Sequence, residues 1–245
     1  MTGEDHGKAG KTRMKQRLWS IFNNESALGR AMNVCGIVIA ANIMFVLVSM
    51  PIVTAGPAFA AMYHVMLRFL RSDGEINPFK EFWIGLKNNF RQAIIVWLLF
   101  LVIVIIGVMD IRFAMYAKGV MTIFKYLIYL IFGIALILVS HMAPVMAAFA
   151  DTIPHLARNS VYFASKNPVR ALAIAALNIG PLILTYYDLQ RLPLYAFMWA
   201  VFGFGAIAMI VSKMLIKDFN VYLPELDEFG YPVEEGQEDG EMPDL

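Results

Sequence analysis

The chain has 245 residues, of which 59% are hydrophobic and 16% are charged, and its mean hydropathy is +0.62. A soluble domain carries about 25% charged residues, so this composition excludes an ordinary water-soluble protein and favours a membrane protein. The formal net charge of +1 gives no basic surface for nucleic acid, and the lipid bilayer is the predicted partner.

The charged residues are concentrated at the two ends of the chain. Residues 1–30 hold six Lys and Arg against three acids, whereas residues 218–245 hold ten acids and neither Lys nor Arg. We therefore predict a basic tail over 1–18, a transmembrane helical domain over 19–217 and an acidic tail over 218–245. The outermost parts, 1–15 and 225–245, are predicted to be disordered because they lack core-forming residues.

Six apolar stretches between these tails contain no Asp, Glu, Lys or Arg. About 20 apolar helical residues cross a hydrocarbon core about 30 Å thick, so each stretch is a candidate membrane span. The sequence thus predicts an all-α, polytopic transmembrane helix bundle. Its spans are predicted at about 33–50, 51–70, 92–109, 122–149, 169–187 and 192–212.

The orientation follows from the Lys and Arg in the connections, because cytoplasmic loops retain positive charge. With six spans and both termini in the cytoplasm, 16 of these residues lie inside and 4 outside. A five-span alternative, in which 51–70 does not cross, divides the Lys and Arg evenly between the two sides of the membrane. We predict a multi-pass cell-membrane protein with 112–120 and 188–193 outside. The weakest span is the second, which is short and interrupted by Gly56-Pro57.

The cytoplasmic connection 77–91 has the pattern of an amphipathic helix. Asn77 is a typical N-cap, and Pro78 suits the first helical position. Aromatic and aliphatic residues then recur at helical spacing, which predicts a helix in the membrane interface or against the bundle. Its buried face is predicted to comprise Phe79, Phe82, Trp83, Leu86 and Phe90. The second connection, 151–166, has a weaker version of this pattern through Ile153, Leu156 and Phe163.

Two pairs of similar segments suggest an internal duplication. Residues 56–62 resemble 143–149, and Lys-Asn-Asn-Phe-Arg at 87–91 resembles Lys-Asn-Pro-Val-Arg at 166–170. Each copy is interpreted as a proline-and-alanine helix start followed by a second helix, as in transporters built from repeats. Chance similarity between alanine-rich segments is the alternative.

Three segments carry a resemblance to a known family. They are Phe-Asn-Asn-Glu-Ser-Ala-Leu-Gly-Arg at 22–30, Pro-Ile-Val-Thr-Ala-Gly-Pro at 51–57 and Gly-Leu-Lys-Asn-Asn-Phe-Arg-Gln-Ala at 85–93. They resemble the YesL family of bacterial integral membrane proteins, a domain of unknown function. The resemblance runs from about residue 20 to about 215. The family is often encoded beside sugar transporters and polysaccharide-degrading enzymes, so the resemblance implies a role linked to carbohydrate uptake, without an established activity.

Motifs for catalysis, phosphate binding or metal binding are absent from the sequence, so no enzyme activity, cofactor or metal is predicted. The single cysteine, Cys35, excludes an internal disulfide and is predicted to be a buried thiol. Polar residues inside a membrane are functional candidates, and these are Asn42, His64, His141 and Asn178. For Asn42, His141 and Asn178, a hydrogen bond between helices is the structural alternative.

Three classes of function remain open from the sequence. The first is an accessory or regulatory protein of carbohydrate uptake that contacts sugar-transporter or sensor membrane subunits. The second is a small-solute transporter or permease component. The third, a membrane enzyme, lacks a visible catalytic constellation. The small number of polar residues within the spans favours the first class.

Overall fold

The computed structural model describes residues 27–72, 76–114, 121–149 and 151–224. The predicted basic tail 1–18 and the part of the acidic tail after residue 224 lie outside these ranges. Within them the chain forms helices and no strands. The helices are α1 (Ala27–Val48), α2 (Ala55–Arg71), α3 (Pro78–Ala114), α4 (Met121–Ala148), α5 (Ile153–Lys166), α6 (Pro168–Tyr187), α7 (Leu192–Met198) and α8 (Phe204–Phe219).

Six helical segments of the described chain are long and apolar enough to cross a membrane, which confirms the predicted polytopic helix bundle. They are Leu28–Val48, Ile52–Arg71, Pro78–Arg112, Ile123–Ala148, Pro168–Tyr187 and Leu189–Phe219. The last combines α7 and α8 through a π turn at Trp199–Gly203. We call the side of the bundle that carries α5 the near side, and the side where α3 and α6 end the far side.

The segment 77–91 is helical, as predicted, and it is continuous with the third span. Asn77 caps the helix as expected, since its Oδ1 accepts from the backbone N–H groups of Phe79 (3.1 Å) and Lys80 (3.2 Å). The helix then continues to Ala114 because no glycine or proline breaks it near Arg91. The amphipathic segment is therefore the first part of α3.

The buried face of this segment also differs from the predicted one. Phe82 and Leu86, four residues apart, are buried in the core. The other three residues of the predicted face lie on the protein surface, with Phe79 56%, Trp83 49% and Phe90 41% exposed. The face that meets the bundle comprises Phe82, Gly85, Leu86 and Asn89, spaced i, i+3, i+4 and i+7, so the three exposed residues lie beside it.

The second amphipathic segment is confirmed as α5, a helix on the near side. Leu156 and Phe163 are buried, and the ring of Phe163 packs against Phe219 at 4.8 Å between centroids. Asp218 of α8 pairs with Lys166 at 3.0 Å and with Arg170 of α6. The hydrogen bond to Asp218 raises the pKa of the Lys166 ammonium.

The core is built around α2, which lies antiparallel to α3 and also contacts α1, α4 and α8. Two glycines permit the close approach of α2 and α3. A Cβ on Gly56 would lie 2.3 Å from Trp97 Cβ, and a Cβ on Gly85 would lie 2.7 Å from His64 Cβ. Larger side chains at these positions would separate the two helices.

Two expectations from the sequence differ from the structure. The matched segments of the suggested duplication occupy different places, because residues 56–62 begin α2 whereas residues 143–149 end α4. Likewise Lys87–Arg91 lies inside α3, whereas Asn167 starts α6. The similarity is therefore not that of a repeated structural unit. Cys35 is exposed on α1, not buried, because it lies on the outer face of the first span.

Candidate functional site

Asn42 is fully buried and joins α1 to the π turn before α8. Its Nδ2 donates to the carbonyl oxygens of Trp199 (3.0 Å) and Ala200 (2.9 Å), and its Oδ1 accepts from the backbone N–H of Gly205 (2.8 Å). A π turn takes backbone groups out of the regular α-helical pattern, and hydrocarbon offers them no alternative partner. Asn42 therefore has a structural task that occupies both ends of its amide.

Asn178 of α6 meets Tyr63 of α2. The Tyr63 hydroxyl donates to Asn178 Oδ1 at 3.3 Å, and Asn178 Nδ2 donates to the carbonyl of Ile174 one turn earlier at 3.0 Å. Tyr63 is fully buried, so this amide is the partner that its hydroxyl requires inside the bundle.

Asn178 also borders a cavity of about 230 Å³ between α1, α2, α3, α4, α6 and α8. The lining is overwhelmingly apolar and contains no charged residue. Its other polar side chains are already engaged, because Ser140 donates to the Leu136 carbonyl (2.8 Å) and Trp97 Nε1 donates to the Ile52 carbonyl (2.8 Å). The cavity thus offers a bound molecule mainly dispersion contacts.

His64 belongs to a different place, a polar cluster between α2 and the start of α3. Its Nε2 lies 3.4 Å from Glu81 Oε2, which also lies 3.9 Å from Arg68 Nε. The His64 Nδ1 lies 3.5 Å from the Ala147 carbonyl oxygen. This arrangement ties the near-side ends of α2, α3 and α4 together and does not border the cavity.

His141 is fully buried in α4, with Nδ1 2.9 Å from the Ile137 carbonyl oxygen one turn earlier. Its Nε2 has no hydrogen-bond partner within the described ranges. Although its neighbour Ser140 lines the cavity, His141 does not.

Of the four candidates, only Asn178 borders the cavity, so the structure does not bring them together into one polar site. Among residues 27–72, 76–114, 121–149 and 151–224, no three His, Cys, Asp or Glu side chains are arranged to hold a metal ion. Sequence reasoning missed Tyr63, Trp97 and Thr54, all of which form hydrogen bonds between or beside helices. For Tyr63 and Trp97 the sequence carried a signal, since a Tyr or Trp inside an apolar stretch needs a hydrogen-bond partner.

Comparison with known proteins gives one partial match. Residues 22–111 match the model of a family described as a protein of unknown function, DUF624. The match covers α1, α2 and most of α3, and it includes all three segments that carry the YesL-like resemblance. No curated protein and no solved structure matches the chain. The comparison is thus with an uncharacterised family.

Proposed function

We propose that this protein is an accessory or regulatory component of bacterial carbohydrate uptake, which acts by contact with other membrane proteins and neither transports a solute alone nor catalyses a reaction. The observation that carries this proposal is the arrangement of its intramembrane polar residues. Asn42 holds the π turn, His64 pairs with Glu81, and His141 bonds to its own helix. None of these three side chains borders the cavity.

The chemistry of the cavity supports the same proposal. A sugar carries many hydroxyl groups, and transferring each from water to a place without a hydrogen-bond partner costs free energy. The cavity offers Asn178, Ser140 and Trp97, and each already forms a hydrogen bond within the protein. This lining favours an apolar occupant over a sugar, which argues against the alternative of a small-solute permease.

The lipid-facing surface supplies room for contacts with other membrane proteins. Only 6% of the most apolar window is buried in each of α3 and α4, so these helices present most of their surface outward. Gly133 on α4 has no heavy atom within 4 Å of an added Cβ. Small residues at open positions permit the close approach of a second helix. The link to carbohydrate is supported by the YesL-like segments at 22–30, 51–57 and 85–93.

The proposed orientation places the near side of the bundle and both termini on the cytoplasmic side of the cell membrane. It is supported by the 16-to-4 division of Lys and Arg between the two sides. Gln190, which is exposed in the far-side turn before α7, should then react with a membrane-impermeant maleimide in intact cells after Gln190→Cys substitution. Reaction only after the cells are permeabilised would reverse the orientation.

The proposal is tested by crosslinking and affinity purification from native membranes. We expect subunits of a carbohydrate transporter or its sensor to be recovered with the tagged protein. A Gly133→Leu variant should reduce their recovery at least fivefold if α4 forms the contact, whereas Gly180→Leu, at an equally open position on α6, should not. Recovery of the same abundant membrane proteins with an unrelated tagged bait, and of no such subunit, would contradict the proposal.

A further inference from the structure

The hairpin of α1 and α2 stops short of the far side of the bundle, as distances along two neighbouring helices show. Trp97 of α3 bonds to the Ile52 carbonyl at the hairpin tip, and Asp110 lies 13 residues further along α3. At 1.5 Å per residue this is about 20 Å. On α6, Leu182 borders the same cavity as Ala55, and Asp188 follows six residues later, about 9 Å further.

The length of the apolar sequence agrees with this depth. No Asp, Glu, Lys or Arg occurs between Arg30 and Arg68, which gives 37 residues for two helices and their turn. The helical segments Leu28–Val48 and Ile52–Arg71 have 21 and 20 residues, but each includes arginine at its near-side end. The uncharged part that remains, which also contains the turn, is shorter than two crossings of about 20 residues each. The rise from Arg68 to Ala55, 13 residues away on α2, is about 20 Å, against a hydrocarbon core of about 30 Å.

The tip has the chemistry of a turn that lies in hydrocarbon. Its most exposed side chains are apolar, with Met50 74% and Ile52 69% exposed. Its backbone is nevertheless provided with partners. The Thr54 hydroxyl lies within hydrogen-bond distance of the Val48 and Pro51 carbonyl oxygens, and Trp97 donates to Ile52. Backbone polar groups at membrane depth need such partners within the protein, because hydrocarbon supplies none.

The cavity lies at this tip, since Ala55, Gly56 and Phe59 form part of its wall. Trp97 and Phe100 of α3 line another part, and Leu182 of α6, which is 47% exposed, carries the lining to the protein surface. An apolar cavity of roughly 150 Å³ in a soluble protein stays dry and binds benzene. The present cavity, at about 230 Å³, is larger.

We propose that α1 and α2 form a re-entrant hairpin whose tip, together with α3 and α6, makes a binding site for one acyl chain of a phospholipid in the far-side leaflet. The occupant follows from depth and lining. Acyl chains are the molecules present at this level of a bilayer, and the uncharged, apolar wall rejects headgroups and water. This site goes beyond the proposed function and does not depend on it. The re-entrant hairpin is also compatible with the charge count. Whether α1 and α2 cross the membrane or turn back within it, every other connection lies on the same side.

The acyl-chain site is tested with purified protein in phospholipid liposomes that contain a lipid with a photoactivatable diazirine in its acyl chain. We expect crosslinks to be enriched at 56–60 and 97–100. Ala143→Phe, which fills the cavity from α4, should lower them at least fivefold, and Ile179→Phe serves if that variant does not fold. Ala176→Phe, on the exposed face of α6, is the matched control and should change nothing.

Crosslinks spread evenly over the exposed faces of α3 and α4, or left unchanged by Ala143→Phe, would overturn the site.

The depth of the hairpin is tested by a separate measurement. In a Cys35→Ser background, Met50→Cys should resist a membrane-impermeant maleimide applied to both sides of the membrane and react only in detergent. Gln190→Cys in the same background should react without detergent. Equal reactivity at the two positions would show that the hairpin reaches the far surface.

Discussion

Replacement of Asn42 by leucine is expected to lower the stability of the helix bundle by about 2–4 kcal/mol. The variant loses three hydrogen bonds between α1 and the region of the π turn. Each interhelical hydrogen bond in a membrane protein contributes about 0.6–2 kcal/mol. The carbonyl oxygens of Trp199 and Ala200 also lose their side-chain donor. The measurement is the thermal or denaturant midpoint of the purified protein in detergent micelles.

Asn178→Leu is the matched control for this prediction. Asn178 forms one long interhelical hydrogen bond, from Tyr63 at 3.3 Å, and its Nδ2 bonds within its own helix. Its replacement is expected to cost about 0.6–2 kcal/mol, clearly less than that of Asn42. An equal loss in both variants, or no loss for Asn42→Leu, would contradict the assignment of Asn42 as the residue that holds the π turn.

Substitution of Gly56 by alanine should also destabilise the protein, by about 1–3 kcal/mol. The added Cβ would lie 2.3 Å from Trp97 Cβ and 2.9 Å from the Ala93 carbonyl oxygen. Because neither is the end of a flexible side chain, α2 and α3 must move apart. The overpacking cost exceeds the roughly 0.5–1 kcal/mol that alanine gains over glycine within a helix. Midpoints of unfolding in detergent measure the difference.

Gly133→Ala and Gly180→Ala, in contrast, are not expected to destabilise the protein. Neither position has a heavy atom within 4 Å of an added Cβ, so only the helix-propensity gain of up to about 1 kcal/mol remains. These variants should be neutral or more stable than the parent protein. If alanine at Gly133 or Gly180 lowered the stability as much as alanine at Gly56, the packing of α2 on α3 would not be the cause of the destabilisation by Gly56→Ala.

The membrane class and its six apolar helices could be predicted from the sequence because the absence of charge over 17 or more residues is a direct consequence of burial in hydrocarbon. The join between the amphipathic segment and the third span could not. Helix continuation at Arg91 depends on local backbone hydrogen bonds, and the charge pattern that marks the membrane boundary does not interrupt them. The exposure of Phe79 and Trp83 escaped prediction for a related reason, since periodicity shows which residues share a face but not how much of that face a neighbour covers.

The candidate polar residues were identified from the sequence, but their partners were not. Asn42 bonds to residues 157 to 163 positions away, and the π turn that it holds has no local sequence signal. The depth of the α1–α2 hairpin was equally hidden, because charge counts are the same for a hairpin and for two crossings. The hydrogen bond from Trp97 to Ile52 relates the hairpin to the length of α3.

The central claim, that the polar groups within this membrane domain hold the helices together and do not line a solute path, is tested most directly by sugar uptake into liposomes that contain the purified protein alone. We expect uptake equal to that of protein-free liposomes over a range of labelled mono- and oligosaccharides, both for the parent protein and for Asn178→Leu. Saturable uptake by the parent protein that Asn178→Leu abolishes, while the variant keeps its fold, would contradict it.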